Sequence, residues 1–219
     1  MQRPSLLAKE EPYNALCHHF NVSADVPVRE LLPATVDMVV LRDAHTPTHV
    51  IAAFQANGSP STYPLMLPID INSYERGFRV GLDLPDAPPG TTAPIPRELG
   101  SSQTLVVTLP VIPLTVPHTG SLPLLLLYGL GLETQPNLLA WRLLPSQVVE
   151  EFPNAAAMAQ NFARLHDDDF GKFFGYNQGL WKNILALGLT DTRTVELVQT
   201  AWNVTAEARR IRQRSTPRR

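Results

Sequence analysis

Cysteine is almost absent from this chain. Cys17 stands alone among 219 residues, so no intrachain disulfide can form. A fold without disulfides rests on its apolar core and suits a reducing, intracellular compartment. Proline is missing from one long stretch: 20 of the 21 prolines occur by Pro153, and none occurs from Asn154 to Thr216. Proline breaks helix interiors, so the proline-free part is free to be helical and much of the earlier part is not. Charge is also scarce, at 17% of residues, and Leu99 to Leu132 contains no Asp, Glu, Lys or Arg. Pro110, Pro113, Pro117, Gly120 and Pro123 interrupt that uncharged run. The uninterrupted piece from Leu124 to Leu132 is too short to span a bilayer, so no membrane role is expected. The start, MQRPSLLAKEEP, lacks the apolar centre of a signal peptide. The sequons at Asn21, Asn57 and Asn203 therefore read as chance matches.

What is present is a 44% hydrophobic fraction, enough for a real core in one compact unit. The formal net charge is only −2, but it is unevenly spread. Arg209 to Arg219 holds six arginines and no acid, against 12 basic and 20 acidic residues over Met1 to Ala208, a net of −8. An acidic body with a basic end is the strongest charge asymmetry of the chain. The body lacks the basic surface that phosphate contacts need, so nucleic acid is expected only through the basic end.

Periodicity divides the chain. Residues 1–33 are mixed and partly irregular, with a short helix expected near Tyr13 to Phe20. Val36 to Arg42, His49 to Ala56 and Thr62 to Ile69 read as strands, Arg79 to Leu84 as a weaker one, and Thr104 to Val116 as a longer one. Asn57-Gly58 suits a turn with positive φ. Asp83 to Gly100, with five prolines and two glycines, reads as a loop. Short connections between sequential strands imply antiparallel pairing. From Ser121 onward the pattern is helical: Leu122 to Leu132, Pro136 to Leu144, Ser146 to Phe152, Ala155 to Leu165, a helix opened by Asp167 to Asp169, and a final helix over Thr192 to Arg214. The stretch YNQGLWKNILALGL, Tyr176 to Leu189, reads as a central buried helix with a wide apolar arc. The expected fold is α+β: an antiparallel sheet from about 34–116 packed against a helical layer from about 121–214, with 215–219 as the end of a basic tail. Val39, Leu105, Val107, Leu126, Trp181, Ile184 and Trp202 are the expected core.

Motifs for catalysis are few. There is no GxSxG elbow, no P-loop, and no GxGxxG after a strand. Cys17, His18, His19, His45 and His49 are metal-ligand types, and His45 and His49 have an H-x3-H spacing. Pro47 between them opposes a shared helical face, and no second cysteine completes a zinc pattern, so neither metal nor cofactor is expected. His166-Asp167-Asp168-Asp169 reads as a helix-start charge cluster. His118 in PHTGS has no nucleophile and acid nearby in sequence and reads as a loop histidine. Phe170, Phe173, Phe174, Tyr176 and Trp181 form either a core seam or the wall of a pocket. The arginines Arg209, Arg210, Arg212, Arg214, Arg218 and Arg219 exceed what a helix dipole uses. They read either as a solvated, frayed helix end or as a nuclear-import or anion-binding patch, and on the second reading they are the candidate interaction or nuclear-targeting residues.

In the C-terminal half, the stretches SLPLLLLYGLGLET, LLPSQVVEEFPNAAAMAQ, YNQGLWKNILALGL and VQTAWNVTAEARRIRQR resemble the clampless-type proteins of mushroom-forming fungi. The resemblance implies a nuclear regulator of sexual development and clamp-cell formation that works through protein partners rather than turnover. It transfers no site residues, and the N-terminal strands add nothing to it. The expectation is a non-enzymatic regulatory or adaptor protein of the nucleus or cytoplasm with a protein partner. The rival is a small-molecule-binding protein or enzyme with a pocket between sheet and helices.

Overall fold

The computed structural model describes residues 5–24, 32–42, 44–58, 63–84, 94–99 and 104–215. Over these residues the fold is α+β. Strands β1 (Thr35–Val39), β2 (His49–Gln55), β3 (Leu65–Ile69), β4 (Arg97–Glu98) and β5 (Leu105–Val116) form one sheet. The order is β1-β5-β2-β3, with β4 also paired to β5.

The 12-residue β5 organises the sheet by serving two neighbours with its two halves. Its first half pairs antiparallel with β1, from Thr35 opposite Pro110 to Val39 opposite Val106. Its second half pairs parallel with β2, from Val50 opposite Val111 to Gln55 opposite Val116. The sheet is therefore mixed, where short turns alone suggest antiparallel pairing throughout. That argument holds for β2 and β3, which are consecutive and antiparallel. It fails for β2 and β5 because roughly 50 residues separate them, ample chain for a parallel crossover. The turn after β2 carries Asn57 at φ 64°, as Asn-Gly suggests.

The β-rich stretch also contains a helix. Asp70 accepts a hydrogen bond from Ser73 N and so opens α2 (Ile71–Gly77). The weak strand expected at Arg79 to Leu84 is not part of the sheet. Phe78 instead bridges to Leu189, and the amides of Arg79 and Val80 donate to the carbonyls of Gly188 and Leu187. The extended piece follows a helix and ties down the end of another one, which periodicity does not reveal.

The first helix, α1 (Pro12–His19), packs on β3 and on α3 (Leu122–Gly129). Leu122 to Tyr128 of α3 are all buried, so the uncharged apolar run is a helix sealed on every side. Then come α4 (Pro136–Leu143), α5 (Ser146–Val149), α6 (Ala155–Ala163), α7 (Asp167–Leu187) and α8 (Thr192–Ser215). Asn154 caps α6 through its side chain, and Gly188 ends α7 in the left-handed region at φ 67°.

The helix α7 absorbs both the Asp167 start and the Tyr176 stretch. Its buried stripe is Leu180, Ile184 and Leu187, as the spacing implies. The arc is narrower than expected: Leu185 is 65% exposed and Trp181 only half-buried. The fully enclosed helix is α3. Core membership holds for Val107, Leu126 and Ile184, whereas Val39, Leu105, Trp181 and Trp202 are half-buried. In β1 the inward face is that of Val36 and Met38, so Val39 falls on the opposite side of the pleat.

Candidate functional site

The histidine and acidic motifs disperse. Cys17 is fully buried, and burial pushes its thiol up to about 12 against a hydrogen bond from Tyr13. His18 Nδ1 meets Glu10 at 2.7 Å, while His19 Nε2 turns to Glu133 at 3.2 Å. The ring of His45 lies 6.0 Å from that of Phe20, and His49 Nδ1 meets Thr48 Oγ1 at 3.0 Å. Burial holds His49 below its ordinary pKa, partly offset by Asp70. The acidic cluster also divides: Asp167 pairs with Arg212, Asp168 faces His166 at 3.7 Å, and Asp169 faces Lys172 at 3.9 Å. Among the described residues no three His, Cys, Asp or Glu side chains are placed to hold one metal ion. No helix described is long and apolar enough to cross a membrane.

His118 does meet a hydroxyl, though as part of a lock. Its Nδ1 accepts from Ser121 N at 3.1 Å and lies 2.9 Å from Ser121 Oγ. Asn183 of α7 closes the turn: its Oδ1 accepts from His118 N at 3.0 Å, and its Nδ2 donates to His118 O at 2.6 Å and to Ser121 Oγ at 3.2 Å. The His118 ring lies on Gly179, where any Cβ would overlap it. Ser121 is fully buried, so no substrate carbonyl reaches its Oγ. The group anchors the β5–α3 turn to α7. Asn183 is not evident in advance, because a buried amide in a helix has no sequence signature.

Arg209, Arg210, Arg212 and Arg214 lie in the last turns of α8, which continues to Ser215, so this part of the basic segment is helical. Arg212 is structural: it donates to Ala163 O at 3.2 Å and Leu165 O at 2.8 Å, completing the end of α6, and its guanidinium lies 4.4 Å over the Phe170 ring. Arg210 pairs with Glu207 at 3.0 Å. Arg209 lies 4.9 Å over the ring of Phe174. Arg214 is exposed, and Arg218 and Arg219 lie outside the described residues. Phe174 in turn contacts Phe170 and Trp202, with ring centroids 6.0 and 5.6 Å apart. The product is a half-exposed row of aromatic rings on α7 and α8, topped by guanidinium groups.

Phe173 and Tyr176, but not Trp181, line a cleft of about 570 Å³ between the sheet edge and the helices. Tyr13, Leu65, Pro123, Phe173 and Tyr176 form apolar walls, and Glu11, Arg142 and Lys172 supply charge. Arg142 is largely committed: it donates to Glu11 at 2.9 Å and to the carbonyls of Leu7 and Glu10. Tyr13 donates to Ala24 O. The hydroxyl of Tyr176 makes no hydrogen bond among the described residues. Burial raises its pKa, the nearby Arg142 charge partly offsets this, and the Glu11 carboxylate adds to it.

A second cleft, of about 440 Å³, lies between α2 and the start of α8. Several of its polar groups already bond internally: Thr190 to Arg76 O and Gly77 O, Thr194 to Asp191, and Tyr128 to Gln135 O. Comparisons of the chain with protein-family models, with curated proteins and with solved structures find no match.

Proposed function

We propose that this chain is a non-enzymatic regulatory or adaptor protein that acts through a protein partner, docking it on the aromatic and arginine-rich face of α7 and α8. The observation that supports this reading is the half-exposed ring of Phe174, flanked by Phe170 and Trp202 and covered by Arg209. Aromatic residues and arginine are the side chains most enriched where proteins bind one another. The chemistry fits a partner segment with acidic residues beside apolar ones. Resemblance to clampless-type proteins extends the proposal to a nuclear regulator of sexual development in mushroom-forming fungi.

Two experiments test it separately. Affinity capture from native cells should recover a defined partner with the wild-type chain and lose it with Arg209→Glu plus Arg214→Glu, both residues being exposed. Recovery of the same proteins by both forms would refute docking on this face. A fluorescent fusion carrying Arg214→Ala, Arg218→Ala and Arg219→Ala should leave the nucleus while melting like the wild type. An unchanged distribution would remove the nuclear-targeting role. Arg212 is kept intact because its loss would damage the fold and confuse the outcome.

A further inference from the structure

We infer that the cleft between β3, α1, α3 and α7 binds a small amphipathic anion: an apolar body of ring size bearing a carboxylate or similar oxyanion. This goes beyond partner docking and rests on a different part of the molecule. The first argument is shape and lining. A volume of about 570 Å³ falls in the range of small-molecule sites, roughly 300–1,000 Å³. Tyr13, Phe173 and Tyr176 offer ring faces, and Leu65 and Pro123 close the walls without polar groups on their side chains.

The second argument is polarity. A binding site pairs apolar walls with a few convergent polar groups that orient the ligand. In this cleft the group without a partner is the hydroxyl of Tyr176. With its pKa raised, that hydroxyl keeps its proton and offers a donor to an acceptor oxygen. Lys172 lies one helical turn away on the same face of α7. Its contact with Asp169, at 3.9 Å and well exposed, is loose enough for the ammonium to turn towards the cleft. Glu11 pairs with Arg142 at 2.9 Å although its carboxylate still acts on the Tyr176 hydroxyl, and Lys172 is the rim cation without a close ion pair among the described residues. Donor and cation together select an oxyanion, and the ring-lined walls select its apolar body.

The test uses the full chain and two fluorescent probes, the anionic anilinonaphthalenesulfonate and the neutral phenylnaphthylamine. The sulfonate should bind saturably at one site and clearly more tightly than the neutral probe. Tyr176→Phe removes a single hydrogen bond and should weaken the sulfonate about 2- to 10-fold, with little effect on the neutral probe. Lys172→Glu should weaken it several-fold in dilute buffer, an effect that fades at about 1 M salt, where screening acts within about 3 Å. Non-saturable uptake, equal affinity for both probes, or indifference to both substitutions overturns the assignment. Thermal melts accompany each variant. If Tyr176→Phe melts early, the exposed Lys172→Glu decides alone, and unchanged affinity there sinks the proposal.

Discussion

Asn183 carries more of the architecture than any catalytic-looking side chain. One buried amide holds the backbone of His118 on both sides and the hydroxyl of Ser121. Replacing it with Ala leaves buried groups unpaired, each costing about 1–3 kcal/mol. Asn183→Ala should therefore melt far earlier than wild type in urea, whereas Lys182→Ala, exposed beside it, should not. Gly179 belongs to the same contact. Gly179→Ala should be destabilising although Ala favours helix, because its methyl would overlap the His118 ring. A melt of that variant at or above the wild-type midpoint would show that the ring yields freely.

Among the elements, α8 shows best where a terminal helix stops being decoration. Arg212→Ala removes the donors to the carbonyls of Ala163, at the end of α6, and of Leu165 just beyond it, and uncovers Phe170. Its melting temperature should fall by several degrees, while that of Arg214→Ala stays put. In α7, Ile184→Ala should cost about 2–5 kcal/mol. Trp181→Ala should cost less, despite the larger side chain, because the indole is only half-buried. Chemical denaturation of the pair checks the order. Most of these elements were legible in advance. Period-2 runs marked β1, β2, β3 and β5, and capping residues such as Asn154 marked helix starts. The helix α2 was not, because seven residues give too little periodicity, though Asp70 and Ser73 held a readable cap. The exposure of Leu185 was not legible either, since an apolar residue on a helix flank looks the same whether or not a neighbour covers it. Sequence patterns suggest no more than a pocket between sheet and helices and do not locate this cleft. Its walls come from segments as distant as Tyr13 and Tyr176, which no local pattern joins.

For the whole molecule, acid should be more harmful than its modest net charge suggests. Burial lowers the pKa of both His49 and His118 from the ordinary 6.5. A histidine depressed on folding is protonated more readily in the unfolded chain. Stability should hold above about pH 6.5 and decline as pH falls through that value towards the lower folded values. Urea midpoints at about pH 7.5 and 5.5 should differ accordingly, and His118→Gln should reduce the difference between them. A flat profile would mean neither ring stays neutral on folding. The split pairing of β5 has a further consequence, in the order of synthesis. Strands β1 and β2 leave the ribosome first but have no direct pairing with each other in the sheet, and each waits for its own half of β5. The segment before α1 waits longer still, because Ser5 and Leu7 bond to Glu133. Until β5 emerges, about halfway through the chain, the nascent protein therefore holds apolar strands with only the β2–β3 hairpin and the short Val22–Val40 bridge to close. Chains released early, before β5, should be taken up by chaperones or aggregate, and those halted beyond the α3 helix should resist protease from both ends of the sheet.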